Sequence, residues 1–81
     1  MTKLANPAQK KALCARLARV EGQLRGVQRL IDDEAECEKI AQQLSAARKA
    51  LDKSFYTMVG CMIEQRGLSA ARVAELLAKF G

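Results

Sequence analysis

From Leu13 to Ile31 the chain places apolar residues at alternating steps of four and three: Leu13, Leu17, Val20, Leu24, Val27 and Ile31. This heptad-like stripe predicts a long helix packed lengthwise on another. Asn6-Pro7 marks its start, because Asn accepts a hydrogen bond at an N-cap and Pro lacks the N–H that would go unpaired at the first helical position. The stripe stops at Asp32-Asp33, where Asp33 and Glu36 form an acidic capping-box pattern for a second helix. There Cys37, Ile40, Leu44, Ala47, Leu51, Phe55, Met58 and Met62 continue the spacing, from about residue 34 to residue 66, and Gly67 closes the helix. So short a connection makes the two helices antiparallel neighbours.

Ser69 caps a short third helix with Val73, Leu76, Leu77 and Phe80 on one side. It is too short to stand alone and must dock on the hairpin or on a neighbouring subunit. The expected fold is all-α: a long antiparallel hairpin plus a short C-terminal helix, one domain over residues 1–81. Gly22, Gly26 and Gly60 fall inside the predicted helices, where each costs about 1 kcal/mol relative to Ala. The favoured explanation for them is close approach of another helix.

Composition narrows the picture. A chain of 81 residues buries only about 60% of the surface it would expose unfolded, so a core built alone is marginal. The outer apolar flanks of a two-helix hairpin would stay wet, and burial against another copy is the expected remedy. No run approaches the roughly 18 apolar residues of a membrane span, and the N-terminus lacks the apolar core of a secretion signal, so a cytoplasmic location is expected. There Cys14, Cys37 and Cys61 stay reduced, as packing residues, ligands or sensors. With no histidine, no phosphate-cradling loop and no paired carboxylates in an apolar setting, the chain is not expected to be an enzyme.

The net charge of +5 is concentrated: Lys10, Lys11, Arg16, Arg19, Arg25 and Arg29 face the single acid Glu21 within residues 8–29. A polyanion such as nucleic acid is the natural partner for that segment. On charge alone, a solvated helix face is an equally good account.

Thiol and thioether sulfurs are soft ligands that suit Cu(I), whereas zinc and nickel sites more often recruit the imidazole this chain lacks. Cys37 and Cys61, 24 residues apart on one predicted helix, would stand about 36 Å apart and about 120° apart around its axis. They cannot meet within one chain, but in an antiparallel dimer Cys37 of one subunit can approach Cys61 of the other. Each also lies on or beside the apolar stripe, where a free cysteine is often just a small buried residue. Packing is the favoured role for Cys14, Met58 and Met62.

The string RLARVEGQLRGVQRLI from Arg16 to Ile31, followed by Cys37 and then by QQLSAARKALD from Gln42 to Asp52, resembles the CsoR/RcnR/FrmR family of bacterial repressors. The resemblance covers about residues 10 to 65. It implies an all-helical protomer that dimerises through antiparallel hairpins, assembles into a dimer of dimers, and binds operator DNA until an effector releases it. In family terms Cys37 matches the common cysteine of the sensing site. Arg16 and Lys53 match positions implicated in DNA binding, Arg19 and Arg48 lie in matching basic motifs, and Lys10 and Lys11 extend the basic segment. The usual histidine position falls on Met62 and the next ligand position on Arg66, while Cys61 comes one residue early. The N-terminus Met1-Thr2-Lys3 carries neither the histidine of the nickel and cobalt sensors nor the second-position proline of the formaldehyde sensors.

The reading that follows is a DNA-binding repressor, with no obligatory cofactor, whose effector is received at Cys37, Cys61 and Met62 of facing subunits. Cu(I) is the leading effector, with a persulfide or other thiol-reactive species linking Cys37 and Cys61 as the alternative. A helical interaction protein that has lost sensing is the rival of a different class, and a small metal-buffering chaperone is a third.

Overall fold

A computed structural model describes residues 3–81, which form three helices: α1 (Pro7–Asp32), α2 (Cys37–Arg66) and α3 (Ala70–Phe80). There is no strand among the described residues. Asn6 is extended, and its side-chain oxygen accepts from the N–H groups of Ala8 and Gln9 at 2.9 and 3.1 Å, so α1 starts where the Asn-Pro pair places it. Gly67 ends α2 in the left-handed region at φ 58°, where its missing Cβ removes the steric penalty. Ser69 caps α3 by accepting from the Arg72 N–H at 3.2 Å.

The turn between α1 and α2 departs from expectation. Asp33 closes α1, its N–H donating to the Arg29 carbonyl at 2.9 Å, and Glu34 then takes a left-handed φ of 56°. Reversing the chain consumes residues 33–36, so Asp33 does not open α2 and the acidic capping box does not form. Glu36 is the N-cap, without a side-chain cap bond, and α2 begins at Cys37 and not near residue 34.

α1 and α2 pack antiparallel along a narrow seam. The residues buried there are Val20 and Val27 of α1 with Ala47, Ser54 and Cys61 of α2; Val59 is also buried but lies about 140° around α2 from Ser54, away from the seam. Ala47, Ser54 and Cys61 recur at steps of seven, so they lie nearly in line along α2, drifting by only about 20° per step. The Ser54 hydroxyl is satisfied by donating to the Ala50 carbonyl at 3.2 Å.

Only part of the expected stripe is therefore core. Leu24, Leu44 and Leu51 remain 43%, 49% and 50% exposed, and Leu17 and Ile31 are exposed with them. The seam takes the small residues at its centre, and the larger ones on its edge are only partly covered within the chain. Fully burying a leucine is worth about 1.5–3 kcal/mol, so much of the available hydrophobic stabilisation is unused in a lone protomer. The Cα envelope is a slab of 48 × 27 × 16 Å.

α3 has no buried residue: Val73, Leu76 and Leu77 are half-buried and Phe80 is exposed. Its docking on the hairpin is slight. Within the single chain a Cβ built on Gly22, Gly26 or Gly60 meets nothing within 4 Å, so a helix that approaches them closely would have to come from another copy. No helix of the same chain approaches them closely.

Candidate effector edge and basic face

Helical geometry sorts the outer residues into two sides of the hairpin. Counting about 100° per residue from the seam, Leu17 and Leu24 of α1 share one side with Cys37, Leu44, Leu51 and Phe55 of α2. A shallow apolar cleft of about 500 Å³ runs along that side, lined by Val20, Leu24, Leu44, Ala47, Arg48 and Leu51. A second, of about 490 Å³, continues it past Leu17, Phe55 and Met58 to Phe80.

The same count sets the sulfurs. Met62 lies about 20° from Cys37 around α2, so the two share the apolar edge at opposite ends, roughly 37 Å apart along the axis. Cys61 turns the other way, onto the seam. Cys37 and Cys14 are exposed, Cys61 is buried and Met62 is half-buried. Cys14, expected as a packing residue beside the stripe, is exposed in the single chain, because it points more than 100° around α1 from the Val20–Val27 seam.

Among the described residues no three His, Cys, Asp or Glu side chains cluster tightly enough to hold a metal ion. A single protomer offers one exposed thiol at the start of α2 and one thioether near its end. These donors suit a soft cation, but a site made from them needs a second chain.

The candidate DNA contacts divide as well. Arg16 and Arg19 of α1 and Lys53 of α2 fall on the side of the seam opposite the apolar clefts, and all three are exposed. Lys11 points away from α2, while Lys10 and Arg48 project beside the apolar side, Arg48 at the rim of the first cleft. Among the described residues the one ion pair is Arg72–Glu75 at 2.7 Å, within α3. The described basic side chains of the hairpin are therefore not held by intrachain carboxylates.

Burial of Ser54 was missed because a serine does not score as a stripe residue, and for Cys61 burial was one of the open readings. The seven-residue repeat Ile40, Ala47, Ser54, Cys61 was the signal that would have found them. A link between the chain's beginning and the end of α2 was also invisible: Gln9 Nε2 donates to Glu64 Oε2 at 2.7 Å, and Gln65 Nε2 donates to the Lys3 carbonyl. The first two residues and the Arg66 side chain, which stands at a family ligand position, lie outside what the structure describes.

No helix is long and apolar enough to cross a membrane among the described residues. No solved structure shows a significant match to the chain. The sequence matches the family model for metal-sensitive transcriptional repressors over residues 9–80, which takes in both hairpin helices and α3. That family is one of repressors and not of enzymes. A basic, three-helix chain with that match belongs to the metal-sensitive transcriptional repressors of the CsoR/RcnR type.

Proposed function

We propose that this protein is a cytoplasmic operator-binding repressor that works as a dimer of dimers and is released from DNA by a soft metal ion such as Cu(I) received at Cys37. The observation that carries the site is the shared edge: Cys37 and Met62 bracket the exposed residues Leu44 and Leu51, which another copy would cover. An antiparallel copy of α2 laid on that edge brings Cys37 of one chain toward Met62 of the other, offering thiolate and thioether to the same ion. Binding there alters the fit between subunits, and operator affinity follows if the metal favours a quaternary shape that holds DNA poorly.

The basic side carries the DNA contacts in this reading, with Arg16, Arg19 and Lys53 neutralising phosphates and Lys10, Lys11 and Arg48 at its margins. Cys61 contributes to sensing only by leaving the seam. That requirement weighs against a persulfide link between Cys37 and Cys61 as the release step.

The test is an operator-binding titration of wild type, Cys37→Ala and Cys61→Ala, with Cu(I) and separately with a persulfide donor. Release of wild type and of Cys61→Ala by Cu(I), lost in Cys37→Ala, is the expected result. Release by the persulfide donor alone, abolished by either substitution, would replace the metal reading with the thiol one. No release by either would leave a DNA-binding protein that does not sense through these thiols.

A further inference from the structure

Met62 is covered by the beginning of its own chain. Residues 3–6 run without helix before α1, and the Asn6 cap fixes the direction in which they leave it. Lys3 and Leu4 close over Met58, Met62 and Gln65, leaving a cavity of about 50 Å³, room for an ion or a water molecule or two. Gln65 Nε2 donates to the Lys3 carbonyl, and Leu4 is half-buried while Lys3, Ala5 and Asn6 are exposed.

From this we infer that residues 3–6 form a strap that shields the Met58 and Met62 thioethers and must lift before Met62 can meet a ligand held by a neighbouring Cys37. Met58 and Met62 stand one turn apart on one face, so a single segment covers both. The cover is weakly held: one partly buried leucine and one neutral hydrogen bond oppose the entropy of ordering the strap backbone. Such a balance lets the strap open readily, and its stability adds to the free energy the effector must supply. Strengthening or loosening it then shifts the metal concentration at which the operator is released.

This inference rests on the reading of Met62 as part of the effector edge, and the experiment separates the two. Full-length wild type, Leu4→Ser and Gln65→Ala, each checked for helicity, are exposed to dilute hydrogen peroxide, and oxidation of Met58 and Met62 is followed by peptide mass spectrometry. The Cu(I) concentration that half-releases operator DNA is measured in parallel. Both variants are expected to oxidise Met62 several-fold faster than wild type and to release DNA at several-fold lower Cu(I). Unchanged oxidation overturns the strap itself. Faster oxidation with an unchanged release midpoint overturns its gating role. If Cu(I) releases none of the three proteins, the effector reading fails and the gate with it, while the oxidation rates still show whether residues 3–6 cover Met62.

Discussion

Cys61 lies seven residues beyond Ser54 on the seam of α2, and both face α1 of their own chain, 7% and 3% exposed. Cys37, on the same helix, is exposed. A thiol-specific alkylating reagent applied to the native protein should therefore modify Cys14 at the rate of a free thiol and Cys61 only as the hairpin opens. Site-resolved mass spectrometry against time checks this; equal rates at Cys14 and Cys61 would show that the seam does not protect it.

Substitution should separate Cys61 of α2 from Cys14 of α1 in the same way. Cys61→Leu forces extra methyl groups between α1 and α2 and should destabilise by about 1–3 kcal/mol, whereas Cys14→Ala should stay within about 0.5 kcal/mol. Urea unfolding at fixed protein concentration measures both, and a neutral Cys61→Leu would place that side chain outside the seam.

Gly22→Ala and Gly26→Ala should each stabilise α1 by about 0.4–1 kcal/mol, since a Cβ meets nothing within 4 Å at either position and helix propensity favours Ala. Gly67→Ala should instead destabilise, by roughly 1 kcal/mol, because φ at that C-cap is 58°. Loss of stability in Gly22→Ala or Gly26→Ala would reveal a second subunit seated against the outer face of α1.

The basic side predicts a graded response on operator DNA. Arg16→Ala and Lys53→Ala should each weaken binding and reduce the slope of log affinity against log salt by about one, as expected for a lost phosphate contact. Arg48→Ala, at the rim of the apolar cleft, should change the slope less and subunit association more. Fluorescence anisotropy across a salt series, with sedimentation for association, distinguishes these; identical slopes for all three variants would refute the division into sides.

Ser69→Ala should loosen α3 ahead of the hairpin. The cap is worth about 1 kcal/mol, and α3 buries no residue that would replace it. Hydrogen exchange along the chain should show α3 amides losing protection while the Val20–Val27 and Ala47–Cys61 segments keep theirs.

Most of the fold was legible because local signals agree with it: Asn6-Pro7, Gly67 and Ser69 sit where caps require those residue types. Asp33 was misplaced because the same acidic residue suits the end of a turn as well as a helix N-cap, and only the reversal through Glu34 decides between them. The stripe was legible as a stripe but not as two surfaces. Leucine and valine look alike in a periodic pattern, and which of them meets α1 depends on how closely the helix backbones approach, set here by Ala47, Ser54 and Cys61. The candidate ligands carried a similar ambiguity. The offset of Met62 from Cys61 is one residue in sequence but about 100° in space, and it divides the apolar edge from the seam.

The Cα envelope is 16 Å through its thinnest dimension, and Leu17, Leu24, Ile31, Leu44, Leu51, Tyr56 and Phe80 lie exposed on it. If assembly supplies the burial that the single chain lacks, folding and association become one concentration-dependent equilibrium. The melting temperature should then rise with protein concentration. A cell that dilutes the repressor would lose structure as well as operator occupancy, making gene dosage itself a second control on the switch.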